Sequence, residues 1–421
     1  MVNIAVLGYG TVGSGVVEVI DTNGAGINQR IGEKLQVKYV LDLKDFPGDP
    51  VQEKIVHDFE TIIQDEEINI VVEVMGGIEP AYTFVKRSLL AGKSVATSNK
   101  ALVAKHGAEL LSIAKEKNIN FLFEASVGGG IPIIRPLNSS LTADEIEEIT
   151  GILNGTTNYM LTKMFFESAD YDEVLKEAQE KGYAERNPEA DVEGHDACRK
   201  IAILTSLIAG QHVDFETIHT EGITKITAKD IEYAKEFDSV IKLLGVAHNT
   251  ESGIEVGVYP MMIHKEHPLA SVRDSFNAVF VHGDAADDAM FYGRGAGEFP
   301  TASAVMGDVI DVARNMAYGC NGRISCTCYK NLPVKDIGDV KNKFFIRMQV
   351  TNEPGVLAAV AEVFGNHKVS ITRVVQEHTQ PHQAELVIVT ESVKEKYMKQ
   401  ALEELLALPS ILEVSSIIRE Y

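Results

Sequence analysis

Positive charge is scarce in this 421-residue sequence, which has 39 lysines and arginines against 61 aspartates and glutamates and a formal net charge of −22. Nucleic acids and anionic membrane surfaces repel a protein of this charge, so both are excluded as expected partners. Any bound phosphate or carboxylate must instead be met by individual lysines, arginines or helix N-termini.

Long apolar runs and cysteines are also scarce. The longest apolar stretch, near 201–210, has the length of one core helix and is far too short to cross a bilayer. The start of the chain lacks the charged and apolar segments of a secretory leader. The four cysteines, Cys198, Cys320, Cys326 and Cys328, are too few for a disulfide scaffold and offer no zinc-site spacing. We therefore expect reduced thiols and a cytoplasmic location.

The length of the chain is sufficient for two or three domains. Residues 1–130 alternate strand and helix patterns, which predicts an α/β fold with a doubly wound parallel sheet, completed by a helical segment at about 302–325. The pattern of residues 131–301 predicts an α+β domain. After a linker at 330–343, the predicted order β-α-β-β-α-β over 344–421 indicates a ferredoxin-like unit.

A glycine-rich turn follows the first predicted strand. Gly8 allows a tight turn, Gly10 lets the backbone approach a pyrophosphate, and Gly13 permits close packing of the next helix on the strand. The pattern predicts a dinucleotide site, the alternative being a tight turn without a ligand. Asp42 ends the second predicted strand, where a carboxylate binds a ribose 2′-hydroxyl and favours NAD. Lys44 nearby keeps NADP open as the cofactor.

The densest group of charged residues lies between 178 and 200. Glu185 and Asp191 lie in a segment that cannot form a continuous helix, because it contains Gly182, Pro188 and Gly194. Asp196 and Lys200 are four residues apart, so they share one face of the following predicted helix. A lysine beside a carboxylate-lined loop suits a small polar substrate with an ammonium group. A solvated acidic loop with a surface ion pair is the alternative interpretation.

With these motifs in place, nearly the whole chain resembles the homoserine dehydrogenase family. The resemblance is carried by Ala178, Gly182, Tyr183, Ala184, Asn187, Pro188, Asp191, Val192, Gly194, Asp196 and Lys200, by 154–159, and by 293–297 with Pro300 and Thr301. The unit that contains 352–355 resembles an ACT module, a regulatory domain for small ligands. The resemblance implies a monofunctional enzyme, without an aspartate kinase half, that interconverts L-aspartate 4-semialdehyde and L-homoserine in threonine and methionine biosynthesis.

The resemblance also implies roles for the charged residues. Lys200 is expected to be the general acid/base, and Asp196 to orient it or to bind substrate. Lys100 is expected to polarise the substrate carbonyl, with a phosphate contact as the alternative. Glu185 would accept the substrate ammonium, and Asp191 would do the same or brace the loop. The expected contacts of NAD or NADP are Gly8, Gly10, Thr11, Val12, Gly13, Asp42, Thr97, Ser98, Lys100 and Gly297.

Two further ligands are implied by the family. A monovalent cation, Na⁺, is expected at the Glu124 side chain and at the backbone carbonyls of Val127, Gly129 and Ile131, where the residues alone indicate only a glycine turn beside a carboxylate. An amino-acid effector, threonine, is expected in the ACT unit at Asn352, Gly355 and Val356, with a purely structural dimerisation module as the alternative. A homodimer or homotetramer is expected.

Two other functions compete with this interpretation. A phosphorylating semialdehyde dehydrogenase needs a cysteine nucleophile, but Cys198 would point about 160° away from Lys200 on the predicted helix. An amino-acid sensor with an inactive dehydrogenase fold would have no need of the four charged residues Lys100, Glu185, Asp196 and Lys200. Turnover of NAD(P)H with the semialdehyde distinguishes an enzyme from a sensor.

Overall fold

A computed structural model describes residues 1–321, 331–380 and 382–421. The strands in this part of the chain are β1 (Val2–Leu7), β2 (Leu35–Leu41), β3 (Ile55–Val56), β4 (Ile68–Glu73), β5 (Ser94–Thr97), β6 (Phe121–Leu122), β7 (Ile146–Ile152), β8 (His219–Thr220), β9 (Ser239–Thr250), β10 (Gly253–His264), β11 (Phe276–Gly283), β12 (Asp287–Arg294), β13 (Lys341–Thr351), β14 (Ile371–Gln380), β15 (Gln383–Thr390), β16 (Val393–Lys394) and β17 (Ile411–Glu420). The helices are α1 (Thr11–Ile31), α2 (Phe59–Ile63), α3 (Ala81–Leu90), α4 (Lys100–Lys117), α5 (Ile134–Ser139), α6 (Gly155–Glu167), α7 (Tyr171–Glu180), α8 (Glu189–Val192), α9 (His195–Ala209), α10 (Ala228–Glu236), α11 (Glu298–Tyr318), α12 (Val356–Asn366) and α13 (Glu395–Leu406).

The chain forms two compact units. The first unit comprises Met1–Ile149, Arg199–Ile218 and Phe276–Leu332, and the second comprises Thr150–Cys198, His219–Ser275 and Pro333–Tyr421. Each contains a sheet covered by helices. Within the described residues, no helix has both the length and the apolar character that crossing a membrane requires.

The sheet of the first unit is parallel, with the strand order β3-β2-β1-β4-β5-β6. The chain leaves β1 toward β2 on one side and reaches β4 on the other, so the strand order reverses between β1 and β4. Such a switch point leaves a crevice at the carboxyl ends of the strands, where ligands bind in this class of fold. The predicted doubly wound sheet is confirmed, and α11 packs along α1 as the completing helix, with Ala302 beside Gly15.

In the second unit, six strands of one sheet lie in the order β9-β10-β17-β13-β15-β14. Its last four strands, with α12 and α13, have the predicted β-α-β-β-α-β order, and their core includes Phe344, Phe364, Leu386 and Leu405. The ferredoxin-like prediction is confirmed. The neighbouring hairpin of β9 and β10 joins this sheet because β10 pairs in parallel with β17 at Met261 and Met262.

Several elements differ from the sequence-based expectation. The strand β9 is not indicated by its sequence pattern, because the polar Lys242 interrupts an apolar run and is nevertheless buried. Its Nζ donates hydrogen bonds to Asn158 Oδ1 at 2.8 Å and to the Val272 carbonyl at 2.5 Å, which replace hydrogen bonds to water. The short helix α8 lies in the segment with Glu185 and Asp191 that was expected to be a loop.

Among the described residues, Cys198 and Cys320 form no disulfide, and Cys198 is buried whereas Cys320 is half-buried. The predictions made for Cys326 and Cys328, for the helical end at 322–325 and for the first residue of the 330–343 linker lie outside the described residues.

Candidate active site

The glycine turn, residues 8–13, has a backbone that only glycine allows at two positions. Gly8 has φ +96°, a left-handed backbone conformation that is strained in any residue with a side chain. A Cβ added to Gly13 would lie 2.0 Å from the Gly8 carbonyl oxygen, whereas no described atom lies within 4 Å of the corresponding position at Gly10. The turn is therefore closed where the helix meets the strand and open at Gly10. This geometry fits a pyrophosphate that approaches the backbone at the start of α1.

Asp42 lies directly beside this turn. Its Oδ2 accepts a hydrogen bond from the Tyr9 N–H at 2.8 Å, and its Oδ1 accepts one from the Lys44 N–H at 3.0 Å. A carboxylate oxygen has two lone pairs, so each retains the capacity to accept a ribose hydroxyl. The side chain of Leu43 is 93% exposed and contributes nothing to the turn.

The first turn of α1 also meets the start of α11. Ser14 Oγ donates a hydrogen bond to Glu298 Oε1 at 3.1 Å, and Gly15 approaches the Glu298 backbone. Gly297, which precedes α11 with φ +120°, is exposed at this edge. Gly297 therefore directly precedes the residue that contacts the first turn of α1.

A buried glutamate organises two further strand-end loops. Glu73, the last residue of β4, accepts hydrogen bonds from Thr97 Oγ1 at 2.6 Å and from the Met75 N–H at 2.9 Å. Burial raises the pKa of Glu73, while hydrogen bonds from Thr97 and its other partners oppose that shift. Asn99 caps α4 through the Leu102 N–H and donates to the Gly77 carbonyl at 2.6 Å.

Lys100, the first residue of α4, is thereby fixed at the carboxyl edge of the parallel sheet and is half-buried. Thr97 and Ser98 lie at the same edge. Glu73 was not among the predicted site residues, because its sequence neighbours in β4 are mostly apolar. An acid at the end of a strand that is otherwise buried was the available signal.

The predicted cation-binding residues Glu124, Val127, Gly129 and Ile131 are all buried in one turn after β6. Glu124 Oε1 accepts hydrogen bonds from the Ile133 and Ile134 N–H groups at 2.7 and 2.9 Å, and Oε2 accepts one from the Arg135 N–H at 2.7 Å. The carboxylate therefore caps α5, a role that the sequence did not indicate.

This cap is compatible with a cation, because Oε2 keeps one lone pair and the neighbouring backbone supplies the oxygen ligands that hard cations prefer. Burial raises the pKa of Glu124, and hydrogen bonds from the α5 backbone oppose the shift. Its own N–H donates to Asp308 Oδ2 at 2.8 Å, and Arg135 donates to Asp308 Oδ1 at 2.7 Å. These contacts hold the turn against α11.

In the second unit, Asn154 brings two predicted site acids together. Its Nδ2 donates hydrogen bonds to Asp191 Oδ1 at 2.7 Å and to Asp196 Oδ2 at 2.9 Å. Its Oδ1 accepts a hydrogen bond from the Thr157 N–H at 2.9 Å and so caps α6. Asn154 belongs to the family motif at 154–159, but no role was predicted for it from the sequence. We call residues 185–196 the acidic loop.

The remaining predicted residues differ in exposure. Asp196 and Lys200 are only 5% and 8% exposed and lie one turn apart on α9, so the alternative of a surface ion pair is wrong. Glu185 is exposed, with its carbonyl accepting a hydrogen bond from Gln179. Asp191 is half-buried.

The predicted effector loop connects β13 to α12. Gly355 precedes α12 with φ +98°, and Asn352 and Gly355 are exposed while Val356 is buried. The Asn352 N–H donates to the carbonyl of His382, the residue before β15, at 3.0 Å.

Three family models match the chain. They describe a homoserine dehydrogenase NAD-binding domain over residues 8–124, homoserine dehydrogenase over 132–310 and an ACT domain over 344–410. The homoserine dehydrogenase of Corynebacterium glutamicum is 43% identical over 425 residues, which cover 99% of this chain and 95% of that protein.

Solved structures give the same result. A homoserine dehydrogenase from Thiobacillus denitrificans matches with a TM-score of 0.95 at 36% identity and covers 100% of this chain and 98% of that one. A hyperthermophilic archaeal homoserine dehydrogenase in complex with NADPH matches with a TM-score of 0.64 at 28% identity and covers 74% of this chain and 97% of that one.

The predictions of an oxidoreductase, of a nucleotide-binding domain and of an ACT domain are therefore confirmed. The glycine turn and the acidic loop are the parts of the fold that carried these predictions. Similarity extends over the full length of the chain and joins both units to a single group of enzymes. This chain belongs to the homoserine dehydrogenase family.

Proposed function

We propose that this chain catalyses the NAD(P)-dependent interconversion of L-aspartate 4-semialdehyde and L-homoserine. The observation that carries the proposal is the network in which Asn154 holds Asp191 and Asp196 together, with buried Lys200 one turn further along α9. Carboxylates in this arrangement suit an ammonium group, and the lysine suits an oxygen that gains or loses a proton. A nicotinamide dinucleotide, when bound, would supply or accept the hydride.

Lys200 acts as the general acid/base in this proposal. In the direction of reduction, its ammonium gives a proton to the carbonyl oxygen of the semialdehyde, and in oxidation its amine takes the hydroxyl proton of homoserine. Asp196, four residues earlier on the same helix, orients the lysine. Lys100 polarises the carbonyl as a second positive charge, an effect that grows where water is excluded.

Glu185 and Asp191 bind the amino-acid end of the substrate. A carboxylate that accepts an ammonium N–H forms a strong charge-assisted bond and fixes the orientation of the substrate. Glu185 is exposed and therefore accessible to an incoming ligand, whereas Asp191 is tied to Asn154. We assign the ammonium contact to Glu185 and a bracing role to Asp191. An unchanged KM for homoserine in Glu185→Gln would transfer the contact to Asp191.

The decisive experiment follows NADH or NADPH formation with L-homoserine and with L-2-aminobutyrate, which lacks the hydroxyl group. Turnover is expected with homoserine alone. Cofactor and homoserine binding in calorimetry without any turnover would contradict the proposal and favour an amino-acid sensor.

The cofactor and the cation extend the same proposal. Gly8, Gly10, Thr11, Val12 and Gly13 hold the pyrophosphate, with Asp42, Thr97, Ser98, Lys100 and Gly297 as further contacts. The Asp42 carboxylate favours NAD over NADP because a 2′-phosphate would meet its negative charge. Na⁺ binds at Glu124, Val127, Gly129 and Ile131. Activity should then rise when NaCl replaces tetramethylammonium chloride at constant ionic strength. Glu124→Gln should abolish this rise.

The domains divide these tasks. We assign cofactor binding to 1–130 with 302–325, substrate binding and dimerisation to 131–301, and regulation to 344–421 after a linker at 330–343. Threonine, the end product of the implied pathway, binds at Asn352, Gly355 and Val356 and inhibits a homodimeric or homotetrameric enzyme.

Two variants test this regulation. A deletion from residue 343 onward tests inhibition directly but also removes β17 from the sheet that it shares with β10. Asn352→Ala in the full chain is therefore the better variant, and it should weaken inhibition by threonine without changing the KM for homoserine. Inhibition that is equal in Asn352→Ala and the unchanged enzyme would contradict this site.

A further inference from the structure

A buried arginine at the end of the chain links the ACT unit to the substrate-binding part of the second unit. Arg419, on β17, donates two hydrogen bonds to the Glu221 carboxylate, at 2.9 and 3.0 Å, and two to Glu395, at 2.5 and 2.9 Å. Its guanidinium also lies over the Tyr259 ring, 4.2 Å from the centroid. Arg419 is only 6% exposed, so the guanidinium makes these charge-assisted contacts from a buried position, whereas the Glu221 side chain is 42% exposed.

Glu221 is the receiving end of this link. Although burial raises the pKa of its carboxyl, hydrogen bonds from His219 and Arg419 lower that pKa to about 2. Its backbone is fixed as well, because the Glu221 N–H donates to the Val258 carbonyl of β10 at 2.7 Å. Side chain and backbone thus hold the residue between two strands.

The residues next to Glu221 press directly on the acidic loop. A Cβ added to Gly222 would lie 2.1 Å from the Val192 carbonyl oxygen, and the Ile223 N–H donates to that same oxygen at 2.8 Å. From the other side, Gly194 lies against Thr220 and the Glu221 carbonyl. The segment 192–194 is therefore enclosed by 220–223, with glycine at both points of closest approach.

This enclosed segment lies between the two acids that Asn154 holds. Asp191 precedes it and Asp196 follows it by two residues, so a displacement of 192–194 moves both carboxylates relative to Asn154. We infer that Glu221 and Arg419 are positioning residues for substrate binding, through which the last strand of the ACT unit sets the geometry of the acidic loop. The inference rests on the proposed substrate role of that loop.

The test compares Glu221→Gln and Arg419→Met with the unchanged enzyme. Each should raise the KM for homoserine about tenfold, since small misplacements of substrate-binding groups are costly, while kcat and the KM for the cofactor change less than about twofold. The KM of the double variant for homoserine should be no higher than that of the more impaired single variant, because both substitutions remove the same link. Arg419→Lys should raise the KM for homoserine less than Arg419→Met does, but still above the original value, because lysine keeps the charge and cannot make the bidentate contact.

A matched control separates positioning from simple loss of stability. Arg347, also buried in the ACT sheet, pairs with Asp230 at 2.9 Å and with Glu385 at 3.1 Å. Asp230→Asn should lower the thermal midpoint at least as much as Glu221→Gln and leave the KM for homoserine unchanged. A rise in KM in Asp230→Asn equal to that in Glu221→Gln would overturn the inference.

A second measurement does not depend on turnover. Amide hydrogen exchange at 189–196 and at Ile223 should accelerate at least about tenfold in Glu221→Gln and stay unchanged in Asp230→Asn. If the unchanged chain has no activity with homoserine, the proposed function fails, and accelerated exchange still supports the positioning link. Unchanged exchange in Glu221→Gln overturns the link whatever the activity.

Discussion

The glycine turn of the first unit and the acidic loop of the second unit are fixed by different kinds of interaction. In the glycine turn, the backbone decides the geometry, because Gly8 has a positive φ and Gly13 leaves no space for a side chain. In the acidic loop, side chains decide it, because Asn154 joins Asp191 to Asp196. The first kind of site fails when atoms are added, and the second fails when hydrogen-bond partners are removed.

The largest effect is expected at Lys200, whose loss should lower kcat strongly and change cofactor binding little. Lys200→Ala should lower kcat by about 10²–10⁴-fold, the usual contribution of a proton-transfer group. The Kd for NAD(P)H, measured by fluorescence, should remain within about threefold of the original.

A charge-conserving variant provides the control. Lys200→Arg keeps the positive charge but cannot release a proton at neutral pH, so it should be nearly as inactive as Lys200→Ala. If either variant retained more than about a tenth of the original rate, Lys200 would not be the acid/base.

Gly13→Ala tests the backbone-fixed site. The added methyl group would lie 2.0 Å from the Gly8 carbonyl oxygen, which cannot retreat without opening the turn. We expect the Kd for the cofactor to rise about 10²-fold, whereas ligand contacts in the acidic loop remain intact.

Gly24, further along α1, supplies the control. No described atom lies within 4 Å of the Cβ position at Gly24, so Gly24→Ala should raise stability by about 0.5–1 kcal/mol and leave cofactor binding unchanged. Equal cofactor affinity in Gly13→Ala and Gly24→Ala would contradict this account of the turn.

Asn154 tests the site that side chains fix. Asn154→Ala removes the donor to both acids and should raise the KM for homoserine about tenfold, without affecting the Kd for the cofactor. It also removes the cap of α6, at a cost of about 1 kcal/mol.

Asn154→Asp separates these two effects. It retains an oxygen for the Thr157 N–H but places a third carboxylate beside Asp191 and Asp196, so it should raise the KM at least as much while preserving the cap. A normal KM for homoserine in Asn154→Asp would show that the Asn154 amide does not position Asp191 and Asp196 for substrate binding.

The same difference explains what the sequence could predict. The glycine turn is encoded within six consecutive residues, so its pattern is visible without a structure. The partners of Asn154 lie 37 and 42 residues away, and no local pattern connects them. Glu124 was predicted as a cation ligand from family position, but its contact with the first turn of α5 depends on how the chain folds back. The strand β9 was missed because Lys242 gains its partners only in the folded chain.

Asp42 combines both kinds of interaction, since its carboxylate holds the Tyr9 N–H of the glycine turn. Asp42→Asn keeps an oxygen for that N–H and removes only the charge. We expect the ratio of kcat/KM for NADPH to that for NADH to rise about tenfold, because a 2′-phosphate no longer meets a carboxylate. Asp42→Ala should shift the ratio in the same direction and also weaken binding of both cofactors. An unchanged ratio in both variants would place Asp42 away from the ribose.

A dependence of stability on pH, with no direct effect on substrate or cofactor, is expected in the second unit, where Lys242 supports α6 through Asn158. Burial, and to a smaller extent Arg273, lowers the pKa of Lys242 to about 7 from a usual value of 10.5. Between these values the unfolded chain binds one proton more than the folded chain, so the stability of the folded state rises with pH. The slope attributable to this group is at most about 1.4 kcal/mol per pH unit.

Lys242→Met removes this titration while it keeps a side chain of similar length. The Asn158 and Val272 oxygens lose their donor, so the variant should be less stable than the original at pH 9, and the deficit should shrink toward pH 7. Chemical denaturation at pH 7, 8 and 9 measures this difference. A deficit that is constant across these pH values would mean that Lys242 is charged in the folded protein, and that its side-chain network in the second unit does not make stability depend on pH.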